Sequence, residues 1–210
     1  MKYVKKIPPT DKTLSDELLA SGWKKLKEPS NLGITTLLSI PFMLMNAVIV
    51  ITIMYNLYEP FQALMDNQNF SFEFMIDLRT LLYFIGIIIF MILHEFLHAC
   101  FIPGVLTSDK TYWGLNGIYG FVYTNEPIVK GRFLLISIMP FFILSIILPF
   151  ILKMLGILNG YTILLCLINA MGSCVDIFNI CLVIKQIPNG ANIINNGFET
   201  YHKINLHRSL

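Results

Sequence analysis

The sequence predicts an all-α membrane protein of about four transmembrane helices, with a short cytoplasmic β-hairpin between the second and third. Three observations carry this reading. Hydrophobic residues make up 55% of the 210-residue chain and charged ones only 13%, about half the charged share of an ordinary soluble domain. Mean hydropathy is +0.67, which excludes disorder, since that needs low hydrophobicity and high charge. Four apolar runs reach the roughly 20 residues that a helix needs to cross a bilayer: Ile34–Tyr58, Leu78–Ile102, Phe133–Leu155 and Gly160–Ile184. The expected organisation is an N-terminal segment (1–33), a four-span membrane domain (34–184) and a tail (185–210).

In the N-terminal segment, Thr13–Leu26 sets Leu18, Leu19, Trp23 and Leu26 near one helical face with lysines beside it. This is the pattern of an interfacial helix lying on the membrane, or of a short solvated helix. The first apolar run is too long for a signal-peptide h-region and is expected to stay in the membrane. Pro41 in the first span, and Pro140 and Pro149 in the third, are expected to kink those helices without breaking them. Lysine and arginine set the orientation. They gather in the N-terminal segment (Lys2, Lys5, Lys6, Lys12, Lys24, Lys25 and Lys27), in the second loop (Lys110, Lys130, Arg132) and in the tail (Lys185, Lys203, Arg208). The first loop is acidic (Glu59, Asp66, Glu73, Asp77). Both termini and the second loop are therefore expected on the cytoplasmic side of a cell membrane. In the second loop, Asn116-Gly117 between aromatic and β-branched runs is a hairpin signal. The Asn- and Gly-rich tail is expected to be mostly loop. Net charge is +2, so nucleic acid is not an expected partner. Cys100, Cys166, Cys174 and Cys181 all fall in apolar segments and read as small buried hydrophobes.

The chemistry concentrates in the second span, where His94, Glu95 and His98 interrupt an otherwise apolar run. Ionisable groups at membrane depth cost a few kcal/mol each and mark functional sites by default. Histidines at i and i+4 share one helical face and can grip one divalent ion. Glu95 lies roughly 100° around the helix, beside that ion, where it can handle the proton of a water. The plainer alternative is a polar patch that hydrogen-bonds between helices. A catalytic zinc usually takes three protein ligands, and Asp176 is the only other acid inside a span. His94 lies 16 residues beyond Leu78, and Asp176 lies 16 beyond Gly160. These two helices run in the same direction, so both groups reach a similar depth. The alternative for Asp176 is a neutral carboxyl bonded to another helix. Asn169, Ser173 and Asp176 form one stripe at i, i+4 and i+7. Asn169 is placed to donate to a scissile carbonyl or hold a peptide, or else to pack helices.

His94-Glu95-Phe96-Leu97-His98 in one span, with Asn169 and Asp176 two spans later, resembles the site-2 protease group of intramembrane zinc metalloproteases. It is more similar still to a small bacterial family of membrane zincin peptidases. That resemblance runs from about Ile92 to Tyr201 and includes the aromatic hairpin, the span with Pro140, and Ile187-Pro188-Asn189-Gly190. Site-2 proteases usually place prolines after the asparagine and Leu-Asp-Gly around the acid; here Ala170 follows Asn169, and Asp176 sits between Val175 and Ile177. The resemblance implies Zn2+ bound by His94, His98 and Asp176, Glu95 as general acid and base, and hydrolysis of peptide bonds in a membrane or membrane-proximal substrate. Thr111–Thr124 then either supplies an edge for strand addition or is an interfacial loop. Two other classes stay open: a non-catalytic metal-binding protein that acts by binding a partner, and a metal transporter.

Overall fold

A computed structural model of the chain describes residues 1–66, 77–116 and 119–204. Four of its helices are long and apolar enough to cross a membrane: Leu32–Leu57, Leu78–Phe101, Lys130–Met154 and Gly160–Gln186. Each begins and ends within a few residues of the run that hydropathy defines.

The first of them, α2 (Leu32–Leu57), follows a strand β1 (Lys2–Tyr3), a helix α1 (Lys12–Ala20) and a strand β2 (Lys24–Lys25). Asn31 caps α2 by accepting from the Ile34 N–H at 3.0 Å. Its buried residues, Ser39, Asn46, Val50 and Met54, recur at helical spacing and form one stripe. That stripe packs on the fourth span, where Val50 and Met54 join Phe141, Ile163, Cys166 and Ala170 in the main core. A short helix α3 (Glu59–Met65) follows.

The second span, α4 (Leu78–Phe101), opens with a reciprocal cap between Asp77 and Thr80. His94 and Ala99 are its only buried residues. Leu81, Leu82, Phe84, Ile88, Ile89, Ile92 and Phe96 are exposed, the face expected of a helix whose solvent is lipid. At the far end Tyr161 donates to the Tyr83 carbonyl at 2.9 Å. Gly86 leaves room for this ring, because a Cβ would stand 2.0 Å from the Tyr161 hydroxyl and push it aside.

The third span is α5 (Lys130–Phe141), a π-helical stretch Phe142–Ile147, and α6 (Leu148–Met154). The helix runs through Pro140 and Pro149, as expected, with the wide turns between them. The fourth is α7 (Gly160–Gly172) and α8 (Cys174–Gln186), joined at Ser173.

The strands lie before α2, between α4 and α5, and after α8. β3 (Thr111–Asn116) and β4 (Tyr119–Thr124) pair antiparallel, and β1 adds in parallel to β3. Gly117 of the expected turn lies outside the described residues. The second sheet corrects the reading of the tail. β6 (Ala191–Asn196) and β7 (Glu199–Ile204) form a hairpin, flanked by β5 (Ile128–Val129) and β2 in the order β2-β7-β6-β5. The turn is Gly197-Phe198, with Gly197 at φ 61, the left-handed first position that a two-residue hairpin takes from glycine. Only glycine fits, since a Cβ would meet the Thr10 backbone at 2.4 Å.

The hairpin also explains α1. Leu18 is buried with Ile194 and Tyr201, and Leu14 and Trp23 close the cluster. Leu18 of α1 is thus covered by the tail, while Leu19 stays exposed. Asn196 locks the contact, accepting from the Asp11 N–H at 3.0 Å and donating to the Asp11 carbonyl at 2.7 Å.

Candidate metal centre

α4 stacks His94 over His98, with ring centroids 4.9 Å apart. The first turn of α8 brings Asp176 against them. Its Oδ2 lies 3.5 Å from His94 Nε2 and its Oδ1 3.6 Å from His98 Nε2. The three residues offer ligand atoms all within 4.8 Å of one another. Four donors held tetrahedrally at zinc distances of about 2.0–2.2 Å are about 3.3–3.6 Å apart. Two imidazole nitrogens and a carboxylate suit zinc in chemistry, and the two nitrogen–oxygen approaches match that spacing.

The far nitrogens of the rings are also occupied. His94 Nδ1 lies 2.8 Å from Asn169 Oδ1, and His98 Nδ1 lies 2.9 Å from the Ile136 carbonyl. Both Nε2 atoms are left facing Asp176. The cluster is graded in exposure, with His94 at 5%, His98 at 13% and Asp176 at 23% of side-chain area. Its opening is therefore on the aspartate side.

Glu95 sits next to the cluster and is partly buried. β4 passes directly over it. A Cβ on Gly120 would lie 2.6 Å from Glu95 Cγ, and the Val122 backbone N–H hydrogen-bonds the carboxylate. A glycine inside a strand marks a close approach of this kind, and that signal stands in the sequence. The hairpin is joined to the tail by Tyr123, whose hydroxyl accepts from the Gly197 N–H at 2.6 Å. Burial pushes this phenol up to about 12, against the pull of that N–H, so it stays protonated at neutral pH.

Asn169 is fully buried behind His94. Its amide nitrogen donates to the Pro140 carbonyl at 3.2 Å and to Ser145 Oγ at 2.8 Å. Its oxygen faces His94 Nδ1, and both amide donors are taken by the third span. Ser173 donates to the Asn169 carbonyl at 2.9 Å, a bond within its own span. His202 lies in β7 opposite Lys24, apart from the cluster, and His207 lies outside the described residues. Sequence reasoning did not single out Ser145, Gly120 or Lys130. Lys130 is buried at the start of α5, donating to the Ile187 carbonyl at 2.6 Å and to Asn189 Oδ1 at 3.2 Å. It ties the Ile187–Gly190 segment to the third span. All four cysteines are free, Cys166 and Cys174 buried, Cys100 and Cys181 exposed.

A bundle of apolar helices that gathers two histidines one turn apart, an adjacent glutamate and an aspartate from another helix has the make-up of a zinc-peptidase-like membrane protein. The chain belongs to the family described as "Putative zincin peptidase", whose model matches residues 87–192. The matched stretch contains His94, Glu95, His98, Asn169 and Asp176. No curated protein and no solved structure matches the chain.

Proposed function

We propose that this protein is a membrane-embedded zinc metallopeptidase of the site-2-protease-like kind, hydrolysing a peptide bond in a membrane or membrane-proximal substrate. The observation that carries the reading is the approach of Asp176 to the Nε2 atoms of both histidines at 3.5 and 3.6 Å, with Glu95 alongside. His94, His98 and Asp176 are the three ligands, and Glu95 is the catalytic acid and base. Zinc, when bound, supplies a Lewis acid that acidifies water and polarises a carbonyl. Glu95 takes the proton from the attacking water and delivers it to the nitrogen of the leaving amine. Asp176 and the histidines would hold the ion. Asn169 orients His94.

The scissile segment must be extended, because a helix hides its carbonyls in its own hydrogen bonds. β4 is an edge strand of its sheet and passes over Glu95, which supports strand addition as the way a substrate is held. The basic N-terminal segment, second loop and tail support a cytoplasmic placement of this end of the molecule.

Zinc content and cleavage test the reading together. The purified protein is expected to hold about one zinc. Glu95→Gln keeps the zinc and loses at least about 10²–10⁴-fold in cleavage rate, whereas His94→Ala loses both. Zinc without cleavage in the wild type would favour a partner-binding role. Metal uptake into vesicles that survives Glu95→Gln would favour transport.

A further inference from the structure

Donor and acceptor chemistry alone fixes the protonation of both ring nitrogens behind the cluster. A backbone carbonyl only accepts, so His98 Nδ1, 2.9 Å from the Ile136 carbonyl, must carry the proton. The Pro140 carbonyl also only accepts. The end of the Asn169 amide that lies 3.2 Å from it is therefore the NH2, and the end 2.8 Å from His94 Nδ1 is the oxygen. His94 Nδ1 must then carry a proton too. Both hydrogen bonds lead back to residue 140. In a regular α-helix the Ile136 carbonyl would accept from the N–H of residue 140. That residue is proline and has none. The carbonyl it leaves is buried and would be costly to leave unpaired at membrane depth. His98 is its partner. Pro140 also opens onto the π-helical Phe142–Ile147, whose Ser145 hydroxyl accepts from the same Asn169 amide at 2.8 Å and donates to the Cys166 carbonyl at 2.9 Å.

We infer that Pro140 is a positioning residue of this site: its missing N–H frees the Ile136 carbonyl that sets the Nδ1–H tautomer of His98, while its backbone carbonyl, which any residue would offer, fixes the Asn169 amide that sets His94. The third span thereby aims both Nε2 lone pairs at Asp176 before any ion arrives. This rests on the zinc reading above. Groups that hold the far nitrogen of a metal-binding histidine are commonly worth about 10–100-fold in metal affinity.

Pro140→Ala restores an N–H that competes with His98 for the Ile136 carbonyl, while removing a poor helix former. It is expected to raise the zinc Kd about 10–100-fold without lowering the melting temperature of the metal-free protein in detergent. A merely structural proline would not move these two quantities apart. Asn169→Leu is expected to weaken zinc binding to a similar extent. Imidazole 15N spectra of the zinc-loaded wild type are expected to show both rings protonated at Nδ1 and bound through Nε2. The spectra need no variant and decide the matter even where Pro140→Ala fails to fold. Zinc bound through Nδ1 of either ring, or a Pro140→Ala protein that binds zinc as tightly as wild type, overturns this inference alone. A wild type that takes up no zinc overturns the zinc reading and this inference with it.

Discussion

Gly120 and Glu95 belong to elements far apart in sequence, and the side chain missing from one makes room for the other. With only 2.6 Å between a hypothetical Cβ at Gly120 and Glu95 Cγ, even alanine forces β4 and the glutamate apart. A reacting group displaced by about 1 Å can cost about 10²-fold in rate. Gly120→Ala is therefore expected to lower peptide cleavage by about that factor while zinc content stays at the wild-type level. Metal analysis beside a cleavage assay reads both, and full activity would detach β4 from the catalytic geometry. The three clustered residues were themselves legible in the sequence. His94 and His98 follow from helical spacing. Asp176 follows from equal distance along two helices that run the same way, and the local irregularity at Ser173 (ψ 5) does not spoil that register. Asn169 was legible as a polar residue on the right stripe but not in its orientation. Which partner takes an amide depends on Pro140 and Ser145 in another span, and helical periodicity carries no information about that.

At the level of elements, the spans were readable because hydrocarbon thickness imposes their length. The sheet β2-β7-β6-β5 was not. Its strands are two to six residues long and rich in lysine and asparagine, which argue against strands locally; only pairing between distant segments makes them strands. Two carboxylates that contact β7, one from the loop after β2 and one on the strand itself, are pushed opposite ways. Glu28 accepts from the Thr200 N–H at 2.6 Å, and burial still holds its carboxyl above the usual range. Glu199 is raised by burial too, but the Lys25 ammonium at 2.6 Å and the Tyr201 hydroxyl carry it below. A depressed carboxylate stabilises the fold above its unfolded value of about 4.3, and that contribution fades as pH falls through the folded value beneath it. The pair is half exposed, so the effect is small, under about 1 kcal/mol. In a Trp113→Phe background, thermal unfolding followed by Trp23 fluorescence is expected to show the sheet weakening below about pH 4.3. Lys25→Met is expected to flatten that dependence, and an unchanged profile would remove the ion pair from the account.

For the whole molecule, the pairing of β2 with β7 and of β1 with β3 sets the N-terminal segment, the second loop and the tail on one side of the helices. The lysines and arginines are concentrated in the same three segments. A membrane-impermeant maleimide added to intact cells is expected to label a cysteine placed at Asp66 and to miss cysteines placed at Asp16 or Asn189. Labelling that splits Asp16 from Asn189 would contradict the sheet itself, while labelling of both with Asp66 protected would invert the proposed orientation.

The strand pairing also imposes a timetable. Lys24 and Lys25 leave the ribosome early, yet their partners are His202 and Tyr201; Lys2 and Tyr3 wait for Tyr112 and Trp113. The three-stranded sheet can close once the second loop has been made. The four-stranded one cannot, and α1 has nothing to rest Leu18 on until Ile194 and Tyr201 emerge. Closing so long a loop is entropically slow, so this end of the protein is expected to assemble last, after the spans that hold the histidines and the aspartate have been synthesised.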